Sequence, residues 1–239
     1  MARLFLLIPA ILLLLVQPSL AQEKGDEAKV APVSLKKVNG QTVCQLAPEN
    51  TSIEFVGTHV GDDPKPRLGG FKTFAGDFEV KDGKPTALQV EMEIGSIWTE
   101  FDNLTKHLMN EDFFEVAQFP KAGFKSSKIT DLGGGNCIIE GQLTLHGVTS
   151  KIEFPAKYQV TGEGMILTSE FTLDRTQFGM DKMTDGVEAA VTLNVSVGKP
   201  TRGVKSKGGN GSEESNEQAA MDDPSVKGET ITISLPAMT

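Results

Sequence analysis

Residues 88–94 read Leu88-Gln89-Val90-Glu91-Met92-Glu93-Ile94, an unbroken alternation of apolar and polar side chains. A period of two puts the apolar groups on one face of a strand and the polar groups on the other. The pattern recurs on both sides. Before it come Ser52-Ile53-Glu54-Phe55, then Phe74, Gly76, Phe78 and Val80 set against Ala75, Asp77 and Glu79. After it come Ala122 and Phe124, then Cys137, Ile139, Leu143 and Leu145, then Ile152, Phe154, Ala156 and Tyr158. Met165, Leu167, Phe171 and Leu173 follow, and a last run from Val187 to Val197 carries Val187, Ala189, Val191, Leu193, Val195 and Val197. Between the later runs stand the turn formers Gly133-Gly134-Gly135-Asn136, His146-Gly147-Val148-Thr149 and Thr161-Gly162-Glu163-Gly164. The count is about eight strands. Clean alternation with tight turns predicts antiparallel neighbours, one face dry and one wet. Closing such a sheet removes its edges and leaves an interior just wide enough for side chains or one slender ligand.

The stretch from His107 to Phe124, HLMNEDFFEVAQFPKAGF, breaks the period of two. Leu108, Phe113, Phe114, Val116 and Phe119 are interspersed with Asn110, Glu111, Asp112 and Glu115, which predicts an amphipathic helix and its exit loop. Pro120 stops any helix and forces Phe119 extended, so the chain can re-enter the sheet. The expected fold is therefore all-β, an eight-stranded antiparallel barrel with a short helical plug, the Glu100 to Phe119 segment closing its mouth.

The ends of the chain read differently. Arg3 precedes an apolar run from Leu4 to Val16, and Ser19-Leu20-Ala21 supplies the small residues of a cleavage site, which predicts a signal peptide over 1–21 and export to the periplasm or secretion. Residues 22–42 are polar and without periodicity and are expected to lack fixed structure. The barrel domain is expected over 43–199. From 200 to 239 the chain turns rich in Gly, Ser, Glu and Asn and reads as a disordered tail, although Thr230-Ile231-Thr232-Ile233-Ser234-Leu235 alternates again.

Composition narrows the function. The net charge is −9 and no basic cluster offsets it, so nucleic acid is an unsuitable partner. Phe occurs 13 times against one Trp and one Tyr, a usage suited to a dry interior or an oily cavity. His59, His107 and His146 show no paired ligand spacing, and no metal is expected. No nucleophile elbow or phosphate loop is present, and the carboxylates fall on strand exteriors, so no catalytic residues are assigned. Cys44 and Cys137 are the only cysteines, and in an exported chain they allow a disulfide or two free thiols.

Three segments carry a family resemblance. The stretch HLMNEDFFEVAQFPKAGF is similar to the helix-and-loop signature of the YceI-like proteins. GQLTLHGVTSKIEF, residues 141–154, resembles their strand-turn-strand motif, and DRTQFGM, residues 174–180, resembles their penultimate loop. They occur in the family's order, and the resemblance covers roughly residues 43–198. It implies a lipocalin-like barrel, periplasmic export and a long polyisoprenoid bound inside, with no other cofactor. One departure is GDDPKPRLGG, residues 61–70, which is more acidic and proline-rich than a short hydrophobic link.

On residues alone, the inward side chains read first as a plain packed core; only the resemblance tips the reading toward a lumen. The expected lining is Phe55 from the first strand, Phe74 and Phe78 from the second, and Leu88, Val90 and Met92 from the third. Phe113 and Phe114 come from the plug, Phe124, Leu143 and Leu145 from the middle strands, and Phe171 and Leu173 from the penultimate one. Lys106, His107 and Arg175 are the candidates for a polar head group, although Arg175 reads first as a structural ion pair or carbonyl clamp. The expected function is binding of a long apolar isoprenoid-type lipid. The competing reading is an envelope interaction module with a packed barrel and a protein partner; oligomeric state is open.

Overall fold

The computed structural model describes residues 31–61 and 64–198. The expected signal peptide and C-terminal tail lie outside them. The sheet contains twelve strand segments, all paired antiparallel. They are β1 (Leu35–Val38), β2 (Gln41–Leu46), β3 (Thr51–Thr58), β4 (Pro66–Phe71), β5 (Phe74–Lys81) and β6 (Lys84–Glu93). The others are β7 (Ile97–Thr99), β8 (Lys121–Gly133), β9 (Asn136–Leu145), β10 (Val148–Val160), β11 (Met165–Asp174) and β12 (Ala190–Val197).

Twelve segments rather than eight strands result from three breaks and from β1, an additional strand at the N-terminal edge. Thr42↔Val80 and Leu46↔Gly76 join β2 to β5, and Glu54↔Gly70 and Thr58↔Pro66 continue nearly the same hairpin register from β3 to β4. Phe74↔Met92 and Phe71↔Ile97 likewise run from β5–β6 into β4–β7. So β2 with β3, β4 with β5, and β6 with β7 are three long strands, each broken once. The breaks lie side by side. Asn50 and Thr51 N–H groups both donate to the Ala47 carbonyl, Lys72 N donates to Ser96 O, and Ile94–Ser96 forms a 3-10 turn. The Ser96 hydroxyl stitches this line together by donating to Glu93 O at 2.6 Å and accepting from Thr73 N at 2.9 Å. Such kinks re-aim the upper half of the wall relative to the lower, as bulges do.

With the broken strands joined, the order is a meander that returns to its start through β12 and β3, where Leu193 faces Phe55 and Val197 faces Thr51. The ring of pairings is the expected all-β, lipocalin-like barrel, its first three strands each split in two. Turn chemistry fits throughout. Asn39-Gly40, Asp82-Gly83 and His146-Gly147 take positive φ at both positions, the requirement of a two-residue hairpin turn.

Three expectations need correction. The segment without fixed structure does not extend to residue 42, because β1 pairs with β2 and Val33 bridges Met165. Its polar side chains are those of a one-sided edge strand. The link at 61–70 is not all loop, since β4 starts at Pro66, a residue tolerated at the first position of a strand. Gly69 and Gly70 let β4 lie between two rings: a Cβ on Gly69 would meet Phe55 Cζ at 2.4 Å, and one on Gly70 would meet Trp98 Nε1 at 2.9 Å. Finally, the helix sits earlier than His107–Phe119. α1 spans Asp102–Met109, and Asn110 leaves it in an extended conformation. The apolar groups that follow project from consecutive turns, held by Phe114 N donating to Leu108 O and Val116 N to Met109 O, with Glu115 at φ 43°.

Candidate functional site

The strand pairings define one inward face. Val90, Phe124 and Leu143 form one row across it, Leu167, Val197 and Thr51 a second, and Phe171, Leu193 and Phe55 a third. Every expected strand residue of the lining lies on this face, and Phe113 and Phe114 reach it from the plug. Burial along it is uneven. Near the start of β11 and the end of β12, Phe78, Cys44, Ile139, Met165, Leu167 and Val197 are all 1% exposed or less, a packed floor. Toward the plug, Phe55, Phe71, Phe114, Phe171, Val191 and Leu193 are only half-buried although they face inward. An inward apolar side chain that water still reaches borders unfilled space.

That space is framed by rings. Phe55 and Phe71 are 6.0 Å apart between centroids, and Phe71 meets Phe114 edge-on at 6.2 Å. Phe171 stacks on Phe154 at 4.4 Å, and Phe154 leans on Phe124 at 5.4 Å. Gly57 continues the inward face of β3 beyond Phe55, and a Cβ built there would meet nothing within 4 Å. The upper interior is thus an accessible apolar cleft. A groove of about 690 Å³ elsewhere is lined by polar groups, among them Ser52, Glu54, Thr168 and Glu170, together with apolar ones, among them Leu132, Ile138 and Pro155.

The plug is tied to two loops. Arg175 is buried, 4% exposed, directly after β11. Its Nε donates to Glu188 O at 3.1 Å, its Nη2 to Val187 O at 3.0 Å, and its Nη1 to Lys182 O at 2.9 Å and to Met180 O. The guanidinium lies 5.6 Å from the ring centroid of Phe113. Burial pulls its pKa down, and Asp174 and Asp181 push it back up. On the other side, His146 Nδ1 lies 3.1 Å from Phe178 O, its Nε2 3.6 Å from Glu115 Oε2, and its ring 4.4 Å from that of Phe119. Lys182 pairs with Asp112 at 3.5 Å.

The three head-group candidates are therefore not brought together. Arg175 spends its donors on carbonyls, the clamp role. His107 is half-buried with its ring 5.2 Å from Phe113, and Lys106 is exposed on α1. Cys44 and Cys137 are free and buried, so no disulfide joins them. Burial, then Asp77, pushes the Cys44 thiol up to about 11, and burial followed by Asp131 raises Cys137. Sequence reasoning left Phe71, Phe154, Val191, Leu193 and Arg67 out of the site. The alternation carried Phe154, Val191 and Leu193; Phe71 and Arg67 were hidden because their strand is rich in Pro and Gly.

Residues 45–198 match the model of the YceI-like domain. The chain belongs to the YceI-like family. A UPF0312 protein of Shewanella oneidensis is 35% identical over 117 residues, 48% of this chain and 59% of that protein, so the match spans little more than half of its relative. A UPF0312 protein of Pseudomonas putida is 31% identical over 147 residues, 58% of this chain and 74% of that protein. Among solved structures, Burkholderia cenocepacia BcnA superposes with a TM-score of 0.57 at 20% identity, over 62% of this chain and 94% of the other. A polyisoprenoid binding domain from Saccharophagus degradans gives a TM-score of 0.50 at 14% identity, over 66% of this chain and 98% of that one. At these identities the likeness is one of fold, and it agrees with the YceI-like barrel described above.

Proposed function

We propose that this YceI-like protein is an exported binding protein that holds the apolar tail of an isoprenoid-type lipid in the upper half of its barrel. The observation that carries the reading is the set of half-buried, inward-facing apolar side chains, Phe55, Phe71, Phe114, Phe171, Val191 and Leu193, around the open space at Gly57. Each CH₂ taken from water into such a cleft contributes about 0.8 kcal/mol, so a tail needs few polar contacts to bind. In this reading the tail occupies the upper half, above the packed floor where Phe78 is 1% exposed. The polyisoprenoid binding domain of Saccharophagus degradans, which shares the fold, supports the choice of lipid class. Binding rather than catalysis suits a cleft whose lining is almost entirely hydrocarbon. The signal-like segment at 1–21 supports export, with the mature chain starting after Ala21.

The test is native mass spectrometry of the protein purified without detergent from its own cell envelope, followed by solvent extraction. A discrete added mass that extracts as a prenyl lipid is expected. The variant Gly57→Leu serves as the control, because its side chain fills the open space in unstrained strand backbone; it should keep the melting temperature and lose the added mass. A wild-type protein that stays unloaded when prenyl lipids are offered refutes the proposal and favours the packed interaction module.

A further inference from the structure

On β4 the inward face is occupied in turn by Arg67, Gly69 and Phe71, because Gly69 pairs with Phe55 and Arg67 pairs with Gly57. The cleft's apolar wall therefore ends, at its mouth, in a guanidinium. The two arginines among the described residues are in opposite situations. Arg175 is buried and gives four of its N–H donors to carbonyls. Arg67 is half-buried, has no carboxylate within ion-pair distance among the described residues, and rests over the ring of Phe101 at 5.1 Å from its centroid. The nearby Glu100 carboxylate is engaged otherwise, accepting from Leu68 N at 3.0 Å.

Phe101 is 52% exposed, an unusual position for a large apolar ring. Its face offers the guanidinium an attractive platform that fixes the plane of the fork without consuming a single N–H donor. A planar cation held in this way, beside open space and next to an oily cleft, is arranged to take two oxygens of an anion. We propose that Arg67 is the head-group receptor of the cleft and that it selects tails ending in an anionic oxygen group, phosphate or carboxylate, over tails ending in an alcohol. The inference rests on the lipid reading above and gives it a ligand class. It also gives a purpose to the Pro- and Gly-rich β4, which delivers Arg67 to the mouth.

The experiment uses three probes with one tail: farnesyl diphosphate, farnesoic acid and farnesol, titrated calorimetrically into the mature protein. The wild type should bind the diphosphate at least about tenfold tighter than the alcohol, the scale of one charge-assisted hydrogen-bonded contact. Arg67→Gln should bring the diphosphate to within about twofold of farnesol and leave farnesol unchanged, and Arg67→Lys should fall between, keeping charge without the fork. Added salt should shrink the wild-type preference. The acid arm separates the anions: binding at diphosphate strength shows recognition of charge alone, and weaker binding shows recognition of phosphate, either of which upholds the role of Arg67. Equal wild-type affinity for all three probes, or an Arg67→Gln variant that weakens all three alike, overturns it. Failure of every farnesyl probe to bind the wild type removes the lipid reading itself and this inference with it.

Discussion

Arg175→Met removes the charge and the donors while keeping most of the side chain's bulk, and the structure fixes what it should cost. Four carbonyls, those of Met180, Lys182, Val187 and Glu188, lose their donor, and Phe113 loses the cation over its ring. A hydrogen bond to a charged group contributes about 1.5–3 kcal/mol, and a carbonyl that water can reach recovers most of that. Residues 181–186 are exposed, so the carbonyls nearest them rehydrate, and roughly two bonds are lost outright. The net destabilisation is then about 3 kcal/mol. For a domain of this size that lowers the melting temperature by about 6–12 °C. It also moves the urea midpoint down by about 1.5 M at an m-value of about 2 kcal/mol/M. Far-UV circular dichroism and Trp98 fluorescence in a urea titration read it directly. Arg175→Lys should cost nearly as much, because one ammonium cannot serve carbonyls spread around a planar fork. A shift below about 1 kcal/mol refutes the clamp. A variant of wild-type stability that no longer bound a prenyl lipid taken up by the wild type would return Arg175 to the head-group role.

Two further outcomes follow from the titratable groups. Cys44 and Cys137 should resist a thiol reagent at pH 8 in the native protein and both react in urea without reductant; absence of reaction in urea would mean a bridge. Asp131 is held down to about 2 by Lys84 at 2.6 Å, the Gly133 N–H and the Tyr158 hydroxyl at 2.9 Å. A depressed carboxylate contributes stability that is present above its unfolded value, about 3.9, and lost as pH falls through its folded value. Asp131→Asn should therefore flatten the decline of stability with acid between about pH 4 and pH 2, measured by urea unfolding across that range. An unchanged acid limb would show that the pair does not form.

The barrel was legible because alternation survives in most of the wall strands, β1 and the Pro- and Gly-rich β4 being the exceptions, and the inward rows from Phe55 to Leu173 could be assigned before any register was known. The three breaks were not. Ile94 continues the apolar beat of Leu88, Val90 and Met92, and only the hydrogen bonds of Ser96 show that the strand has already turned. The plug was misplaced because Leu108, Phe113, Val116 and Phe119 fall at spacings a helix would also use, while Glu115 sits at φ 43°, where no helix continues. Arg67 could not be seen from sequence at all: its strand alternates Arg, Gly and Phe between glycines and prolines, so the face it shares with Phe71 exists only once β3 has paired with it. Arg175 illustrates the converse, a residue with two chemically sound roles between which only a count of its donors decides.

The two ends of the barrel chain leave from the same side. Val33 is bridged to Met165 at the start of β11, and Gly198 N donates to Asn50 O just past the end of β12, both on the packed-floor side and away from the cleft. A surface, bead or fusion partner joined directly after Gly198 would therefore stand on the floor side of the barrel, opposite the mouth. A protein shortened to end at Gly198 and immobilised there on a biosensor should leave the cleft turned to solvent, and two such domains joined by a short link between Gly198 of one and Val33 of the next would meet floor to floor, with their openings turned apart.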